Sequence, residues 1–578
     1  MSIRSNIKTI QDIMRKDDGV DGDAQRIGQL TWMLFLKVFD QREEEWEDEG
    51  KASGKAYVSP IPEACRWRNW TKYFKDNAGK KSPQIAASKI IAHVNDKVFP
   101  GLRELSIETF GDDEIRAKAK VVRDVFVDSN NYMKSGTLML GVIERLDETI
   151  NFHDFKTRQN LGDIYEQILS DLRSAGNAGE FYTPRAVTHF MVQMVNPQLK
   201  KRETILDPAC GTGGFLTATI DHFNSQIPKK PSAEDKKAVE SVIHGIEKKQ
   251  LPHLLCTTNM MLHGIDVPSQ IDHKNTLAKA WKGWSELDQV DCVITNPPFG
   301  GKEEDGVGAD FLADLKTRDT SDMFLTLIVE KLLKEGGRGA IVLPDGNLFG
   351  EGVKAKVKKN LLEKCNLHTI IRLPNGVFNP YTGIKTNLLF FTKGNPTETI
   401  WYYEHPYPAG YKSYSKTKPI TLTEFQAEKE WWGKESNGFA DRKESAFAWK
   451  IDFKSRKTKA EKKAKPHWDK ADELSNQAAT LELAAKKDDD EDQKKAFKNQ
   501  AEKIRQISKD EQAAGDRIFW PIFNLDETNP NTPEAKVHDP DELLLKLKKI
   551  TREIAVTEEK LKQELAAAFA HHFEDAAS

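Results

Sequence analysis

Short apolar runs in the middle of the chain alternate with polar and turn-forming residues. Three of these runs span residues 204–206, 242–247 and 290–295, and each stops at a carboxylate or at an Asn-Pro pair. Short apolar runs bounded by turn formers are typical of buried strands. The first run continues through a glycine-rich turn into an apolar helical stretch, 215–223. The pattern therefore predicts strand, glycine turn and helix, in that order.

A different pattern occupies the first 155 residues, where charged helical stretches surround one strongly apolar run, 32–39. That run suits a buried helix and is too short for a membrane span. Together with 138–146 and 161–172, it predicts a helical domain over residues 1–155. From the pattern alone, this domain can be a module for packing or assembly.

The C-terminal part predicts a long helix that opens at Asp539-Pro540-Asp541. Its apolar positions follow a 4-3-4 rhythm that Thr557 interrupts: Leu543, Leu547, Ile550, Ile554 and Leu561. Such a face can dock within the chain or against another subunit. We expect another subunit, and we assign residues 476–578 to a helical region for assembly.

Charge and cysteine content limit the possible classes of protein. The chain of 578 residues is 30% charged with a net charge of −3, so it has no overall excess of cations for DNA phosphates. Its five cysteines form no C-x-x-C pair, which argues against a disulfide scaffold and a structural metal. The start resembles no signal peptide and no segment is apolar enough for a membrane span, so we expect a cytoplasmic protein.

Cations are nevertheless concentrated between Lys450 and Lys470, just before an acidic run at 488–492. Within 401–475, this segment is either a basic arm that contacts phosphates or a solvated linker. The aromatic residues Trp449, Phe453 and Trp468 favour ordered contact.

The third apolar run leads into the turn Asn296-Pro297-Pro298-Phe299. Two prolines lack N–H donors, so the carbonyl oxygens here are free to accept hydrogen bonds, and Asn296 adds an acceptor beside the flat face of Phe299. An exocyclic amine on an aromatic base offers two donors and a π-surface, which this turn matches. An ordinary proline-rich turn after a strand is the alternative.

The glycine turn after the first run predicts a small-molecule site. Gly211, Gly213 and Gly214 allow close approach of a ligand to the backbone, and the following helix presents free N–H groups. The spacing is neither that of a phosphate loop nor G-x-G-x-x-G, which removes support for ATP hydrolysis and hydride transfer. Glu247, at the end of the second run, is placed to accept hydrogen bonds from both ribose hydroxyls of a nucleoside. A surface acid is the alternative.

These motifs resemble the modification subunit of type I restriction-modification systems, an S-adenosylmethionine-dependent DNA adenine-N6 methyltransferase. The similarity spans most of 160–395 and includes the segments 180–185, 341–346 and 376–387. Two departures from the family pattern are Lys274 before Asn275-Thr276-Leu277, and Cys210 in the glycine turn. Neither removes a side chain that the chemistry needs.

The resemblance implies a doubly wound, Rossmann-like α/β core over 156–400, with S-adenosylmethionine as the cofactor. It implies double-stranded DNA, a specificity subunit and a restriction subunit as partners, with two copies of this chain per specificity subunit. It also implies that the N-terminal helical domain helps to enclose the DNA. The expected catalytic residues are Asn296, Pro297, Pro298 and Phe299. The expected cofactor-binding residues are Glu180, Phe181, Tyr182, Thr183, Pro184, Arg185, Asp207, Gly211, Thr212, Gly213, Gly214, Glu247 and Asn275.

Locally, Thr183 is a suitable N-cap with Pro184 at the first helical position, ahead of a stripe of apolar residues that we expect to pack on the sheet. The stripe comprises Val187, Phe190, Met191, Met194 and Val195.

Two alternatives to adenine methylation remain open. Another amine acceptor, namely cytosine N4, an RNA base or a protein glutamine, could use the same turn. A non-catalytic assembly subunit could keep the fold. Methylation at cytosine C5 is disfavoured, because the chain has no Pro-Cys nucleophile.

Overall fold

The structure is a computed structural model that describes residues 3–75, 81–150, 165, 182–228, 231–379, 381–415, 417–532 and 540–574. They belong to two compact units, Met1–Asn529 and Pro530–Ser578.

The N-terminal region is helical, with one short antiparallel β-ribbon. Its helices are α1 (Ile3–Met14), α2 (Asp23–Ser53), α3 (Trp67–Trp70), α4 (Ala87–His93), α5 (Phe99–Arg103), α6 (Asp113–Phe126) and α7 (Gly136–Thr149). The ribbon consists of β1 (Tyr73–Lys75) and β2 (Lys81–Pro83).

The apolar run 32–39 lies in α2 and forms the centre of the N-terminal core, as predicted. Trp32, Phe35 and Phe39 are fully buried there, because α2 is apolar on all sides along this run. The predicted helix at 138–146 lies within α7. The predicted helix at 161–172 lies outside the described residues except for Tyr165, which is buried in the same core.

The central feature of the α/β region is a mostly parallel sheet that comprises nine strands within the described ranges. In chain order they are β3 (Ile205–Asp207), β4 (Ile243–Glu247), β5 (Ile271–His273), β6 (Val290–Thr295), β7 (Leu333–Pro344), β8 (Cys365–Arg372), β9 (Thr386–Lys393), β10 (Thr399–Glu404) and β11 (Ala448–Asp452). Their spatial order is β11-β10-β8-β9-β7-β6-β3-β4-β5. Strands β9 and β11 run antiparallel to their neighbours.

Both faces of this sheet are covered. Along β6, Cys292 and Ile294 pack into one apolar cluster and Val293 into another, as the two-residue period of a strand requires. A strand buried on both faces is apolar throughout, which explains the uninterrupted runs in the sequence. The prediction of a doubly wound α/β core is confirmed.

Helices follow most of the strands of this core. They are α8 (Arg185–Val195), α9 (Gly214–Asn224), α10 (Ala233–Glu240), α11 (Gln250–Leu262), α12 (Thr320–Leu327), α13 (Asp345–Phe349), α14 (Val353–Lys364) and α15 (Gln426–Trp431). The apolar stripe of α8 packs in one of the two clusters, as expected, and only Met194 in it is half-buried.

The region predicted as a basic linker or arm, 401–475, is instead largely part of the folded core. It contains most of β10, all of β11 and the start of α16 (Phe453–Lys487). Among the described residues of this region, four Lys and Arg side chains are paired with acids, including Lys457 with Glu363 and Lys454 with Glu398. A high local density of lysine resembles a solvated linker in sequence, but here most of the lysines lie on the exposed sides of a helix that buries a stripe of Phe453 and alanines.

Helices α16 and α17 (Glu491–Phe519) form an antiparallel pair. The side of α16 that is buried carries alanine every seven residues, at 464, 471, 478 and 485. Small residues allow the two backbones to approach closely: the Ser508 hydroxyl of α17 donates to the Ala471 carbonyl (2.7 Å). Opposite Ala464 lies Gly515, where a Cβ would fall 3.2 Å from the Ala464 carbonyl oxygen.

The second unit consists, in the described residues, of one helix, α18 (Pro540–Glu574). It begins where the Asp-Pro-Asp sequence predicted. The apolar positions Leu547, Ile550, Ile554 and Leu561 are more than half exposed.

No helix in the part of the chain that the structure describes combines the length and the apolar character needed to cross a bilayer.

Candidate active site

The glycine turn connects β3 to α9 in the predicted order. Gly211 and Gly213 have positive φ angles of 54° and 82°, which favour glycine. A Cβ on Gly213 would lie 2.8 Å from the Cys256 Sγ atom, so this turn also needs glycine for its packing on α11. Asn259 of α11 donates to the Thr212 carbonyl (3.1 Å). The turn is therefore held against a buried helix on one side and opens to a cleft on the other.

Asp207 ends β3 beneath the turn and is fully buried. Its Oδ1 atom accepts hydrogen bonds from the Thr295 hydroxyl (2.7 Å) and the Ala209 N–H (3.1 Å). Burial raises the pKa of Asp207 to about 7, although both hydrogen bonds oppose that shift. Asp207 thereby connects β3 to the end of β6.

Glu247 ends β4 on the opposite side of the turn. Its two oxygens accept from the Gly211 N–H (2.9 Å) and the Lys249 N–H (2.7 Å). Burial raises the pKa of this carboxyl, and the backbone donors oppose the rise. Glu247 is thus a buried acid that orients the glycine turn, and the alternative of an ordinary surface acid is wrong.

Asn296 follows β6 and is oriented by Thr183. The Asn296 Nδ2 atom donates to the Thr183 hydroxyl (3.0 Å), which leaves the amide oxygen facing away. That Oδ1 atom is buried and accepts no hydrogen bond from any described residue. Buried polar atoms are nearly always paired, so an unpaired acceptor at this position indicates a missing partner.

The expectation that Thr183 caps α8 is wrong. The helix begins at Arg185, and Pro184 is the residue before it, with its carbonyl accepting from Val187 and Thr188. The Thr183 side chain is therefore available to hold Asn296. A threonine that caps a helix and a threonine that orients another side chain cannot be told apart from the sequence.

Phe299 is half-buried and contacts Phe378 edge-on. The two ring centroids are 6.0 Å apart at 75°. Phe378 is buried and belongs to the 376–387 segment, which the sequence identified without giving this residue a role. Pro297 is buried and Pro298 is exposed.

These elements surround one cleft of about 250 Å³ at the carboxyl ends of β3, β4 and β6. Predicted residues that line it are Thr183, Asp207, Gly211, Gly214, Glu247, Asn296 and Pro298. Other lining residues are Ala209, Cys210, Phe215, Lys248, Lys249, Gly301, Lys302, Glu303 and Thr320. None of these nine was predicted as a site residue. Six of them, at 248, 249, 301–303 and 320, also lie outside the predicted runs and turns, although 248 directly follows Glu247 and 301 lies two residues after Phe299.

Several predicted cofactor residues lie elsewhere. Tyr182 packs against the N-terminal core, and Arg185 forms a long ion pair with Asp221 (3.7 Å). Asn275 caps a short 3-10 turn and donates from its Nδ2 atom to Glu303 (3.3 Å). Glu180 and Phe181 lie outside the described residues.

The comparisons with known proteins agree on one family. The family model described as N-6 DNA Methylase matches residues 156–476, and the one described as HsdM N-terminal domain matches 3–146. The methylase subunit of the type I restriction enzyme EcoEI of Escherichia coli is 49% identical over 570 residues, 99% of either chain.

Solved structures agree with this comparison. A crystal structure of a modification subunit of a putative type I restriction enzyme from Vibrio vulnificus YJ016 is 37% identical, with a TM-score of 0.63, over 78% of this chain and 92% of that one. A chain from a structural study of complex assembly and conformational transition of the type I R-M system is 30% identical. Its TM-score is 0.67 over 97% of either chain.

Proposed function

The chain belongs to the N-6 DNA methylase family, and on that basis we propose that it transfers methyl groups to the N6 atom of adenine in DNA as the methylase subunit of a type I restriction-modification complex. The 49% identity with the EcoEI methylase subunit, over 99% of both chains, supports this assignment. The observation that carries the chemistry is the buried, unpaired Oδ1 atom of Asn296 at the mouth of the cleft.

The residues of the cleft fit S-adenosylmethionine, which supplies an electrophilic methyl group on a sulfonium when it is bound. The side chains of Asp207 and Glu247 and the backbone at Gly211 and Gly214 would hold it. Glycine at 213 keeps the turn packed on α11, because a Cβ there would meet Cys256.

Asn296 then acts on the acceptor base. An adenine amine has two N–H donors, and the Asn296 Oδ1 atom and the Pro297 carbonyl can accept one each. These bonds favour a tetrahedral nitrogen and stabilise the positive charge that grows there during transfer. Thr183 keeps the amide oxygen in the required direction through its 3.0 Å hydrogen bond.

The target base must leave the duplex to reach this turn. Phe299 offers a face on which the extruded purine can stack, and stacking of this kind contributes about 1–3 kcal/mol. Phe378 contacts Phe299 edge-on and so limits its movement.

Partners follow from the same assignment. We infer double-stranded DNA as the substrate, a specificity subunit that selects the site, and a restriction subunit, with two copies of this chain per specificity subunit. The exposed apolar positions of α18 fit a helical partner. Because the proposed substrate is DNA, we infer that the protein acts in the cytoplasm.

The test is base-resolved analysis of DNA methylated by the chain co-expressed with the neighbouring genes of its operon. N6-methyladenine at a defined site, lost with Asn296→Ala, is the expected product. N4-methylcytosine, or methylated RNA or glutamine with unmodified DNA, would contradict the assignment. A complex that assembles but neither binds S-adenosylhomocysteine nor methylates would indicate an assembly subunit.

A further inference from the structure

The segment that follows the Asn-Pro-Pro-Phe turn crosses the cleft as a strap, residues 300–303. Its backbone is held by residues 318–320. The Thr320 N–H donates to the Gly301 carbonyl (3.0 Å), and the Arg318 guanidinium donates to the Glu303 carbonyl (2.8 Å). Gly301, Lys302 and Glu303 all line the cleft. The strap is therefore a fixed wall of the cleft.

Glu303 places a buried carboxylate at the far end of this strap. The residue is only 8% exposed. Its Oε2 atom accepts from the Lys248 ammonium (3.1 Å) and from the Asn275 Nδ2 atom (3.3 Å). Lys248 follows β4 and Asn275 follows β5, whereas the strap starts from β6. Since the order is β6-β3-β4-β5, the Glu303 side chain meets groups that follow strands two and three places away from the strand at which the strap starts.

This position identifies which end of the cofactor Glu303 faces, given the function proposed above. Glu247 at the end of β4 is suited to the ribose hydroxyls. The methyl group must point toward Asn296, after β6. The base attached to the ribose then lies on the other side of Glu247, toward β5, where Asn275 and Glu303 meet.

We propose that Glu303 selects the adenine of the methyl donor by accepting a hydrogen bond from its exocyclic amine. Asn275 is a positioning residue for this carboxylate: its own Oδ1 atom accepts from the Leu277 N–H (3.0 Å), and its Nδ2 atom is bound to Glu303. Lys248 is 43% exposed, so its ammonium can return to water when the amine takes its place on the carboxylate. A keto group at the same ring position offers no such donor.

Calorimetry with two product analogues tests the assignment without any catalysis. S-adenosylhomocysteine carries the amine, and S-inosylhomocysteine, its deaminated form, carries a keto oxygen instead. For the full-length chain we expect about tenfold to a hundredfold preference for the adenine form, as for a hydrogen bond to a charged group. In Glu303→Ala the two dissociation constants should agree within about threefold. The neighbouring Glu304→Ala, at an exposed position, is the matched control and should keep the wild-type preference.

Glu303→Gln provides a second variant should the alanine variant fail to fold. Its amide can donate to a keto oxygen, so we expect the inosine form to gain affinity relative to the adenine form. A wild-type preference that persists in both variants would place adenine selection elsewhere and overturn the proposal. Equal weakening of both ligands in Glu303→Ala would also overturn it, because the residue would then only hold the strap.

Failure of the proposed function looks different. A wild-type chain that binds neither analogue would contradict methyl-donor binding itself. A chain that binds both analogues equally, yet methylates adenine in DNA, would refute only the role of Glu303.

Discussion

The buried polar side chains on the two sides of the cleft differ in their hydrogen bonding. On the cofactor side, Asp207 and Glu247 are each bound to two donors of the protein itself, mostly backbone N–H groups. On the catalytic side, the Asn296 Oδ1 atom is just as inaccessible but has no donor among the described residues.

This difference separates groups that build the cleft from the group that acts in it. The acids stabilise the glycine turn whether or not a ligand is present, so their removal should affect both stability and cofactor affinity. The two acids and the glycine turn together form what we call the frame of the cleft. The Asn296 oxygen accepts no hydrogen bond within this frame. Its loss should affect only the step in which an amine is held.

The sharpest test of the contrast is Asn296→Ala. Removal of one preorganised hydrogen-bonding group from an active site typically costs about 3–4 kcal/mol, or a fall of about a hundredfold to a thousandfold in kcat. Single-turnover methylation of a DNA duplex measures this. The affinity for S-adenosylhomocysteine should change by no more than a few-fold. A parallel loss of cofactor affinity would mean that Asn296 belongs to the frame after all.

A smaller effect is expected from Gly213→Ala, which disturbs the packing of the glycine turn on the cofactor side of the cleft. The new Cβ would lie 2.8 Å from Cys256 Sγ and 3.1 Å from Met260 Cε, at a φ of 82°. Gly264→Ala is the matched control, because Gly264 also has a positive φ, 92°, but open space around it. Urea unfolding should show Gly213→Ala to be less stable than the control by about 1–3 kcal/mol, the typical effect of overpacking. Equal destabilisation of the two variants would show that position 213 requires glycine only for its positive φ angle.

The raised pKa of Asp207, about 7, predicts a pH-dependent contribution to stability. The folded chain holds this proton between the unfolded pKa, near 3.8, and the folded value, while the unfolded chain has lost it. The contribution is therefore complete below about pH 4 and disappears as the pH rises toward about 7, by up to about 1.4 kcal/mol per pH unit.

Urea unfolding of the wild type and of Asp207→Asn between about pH 5 and about pH 8 measures this contribution. The free energy of unfolding should fall more steeply with pH in the wild type than in the variant, up to about pH 7, and the two curves should run parallel above it. Parallel curves throughout would show that the carboxyl is ionised in the folded chain.

The smallest effect is expected from Phe378→Leu on the catalytic side. The loss of an edge-on ring contact costs about 0.5–1.5 kcal/mol, which should appear as a rise of a few-fold in the KM for DNA. Affinity for S-adenosylhomocysteine should stay constant, because Phe378 does not line the cleft. Phe74→Leu, at an exposed position of the N-terminal region, is the control. A change in cofactor affinity instead would place Phe378 in the frame of the cofactor side.

Much of the core was predictable because buried parallel strands leave a clear pattern. The runs at 204–206, 242–247 and 290–295 correspond to β3, β4 and β6 within one residue at each end. The 401–475 region was not predictable in this way. Its lysines carry no information about β11 and α16, whose burial depends on partners distant in sequence.

The sequence alone determined the order of the strands and turns, the positions that require glycine, and the types of side chain at the catalytic turn. These properties depend on neighbouring residues and on backbone conformation, which local sequence encodes. Only the tertiary structure decided that Thr183 orients Asn296 instead of capping a helix, and that Glu303 meets Lys248 and Asn275. Such contacts join chain segments tens of residues apart or more, because parallel strands bring their carboxyl ends to one edge of the sheet.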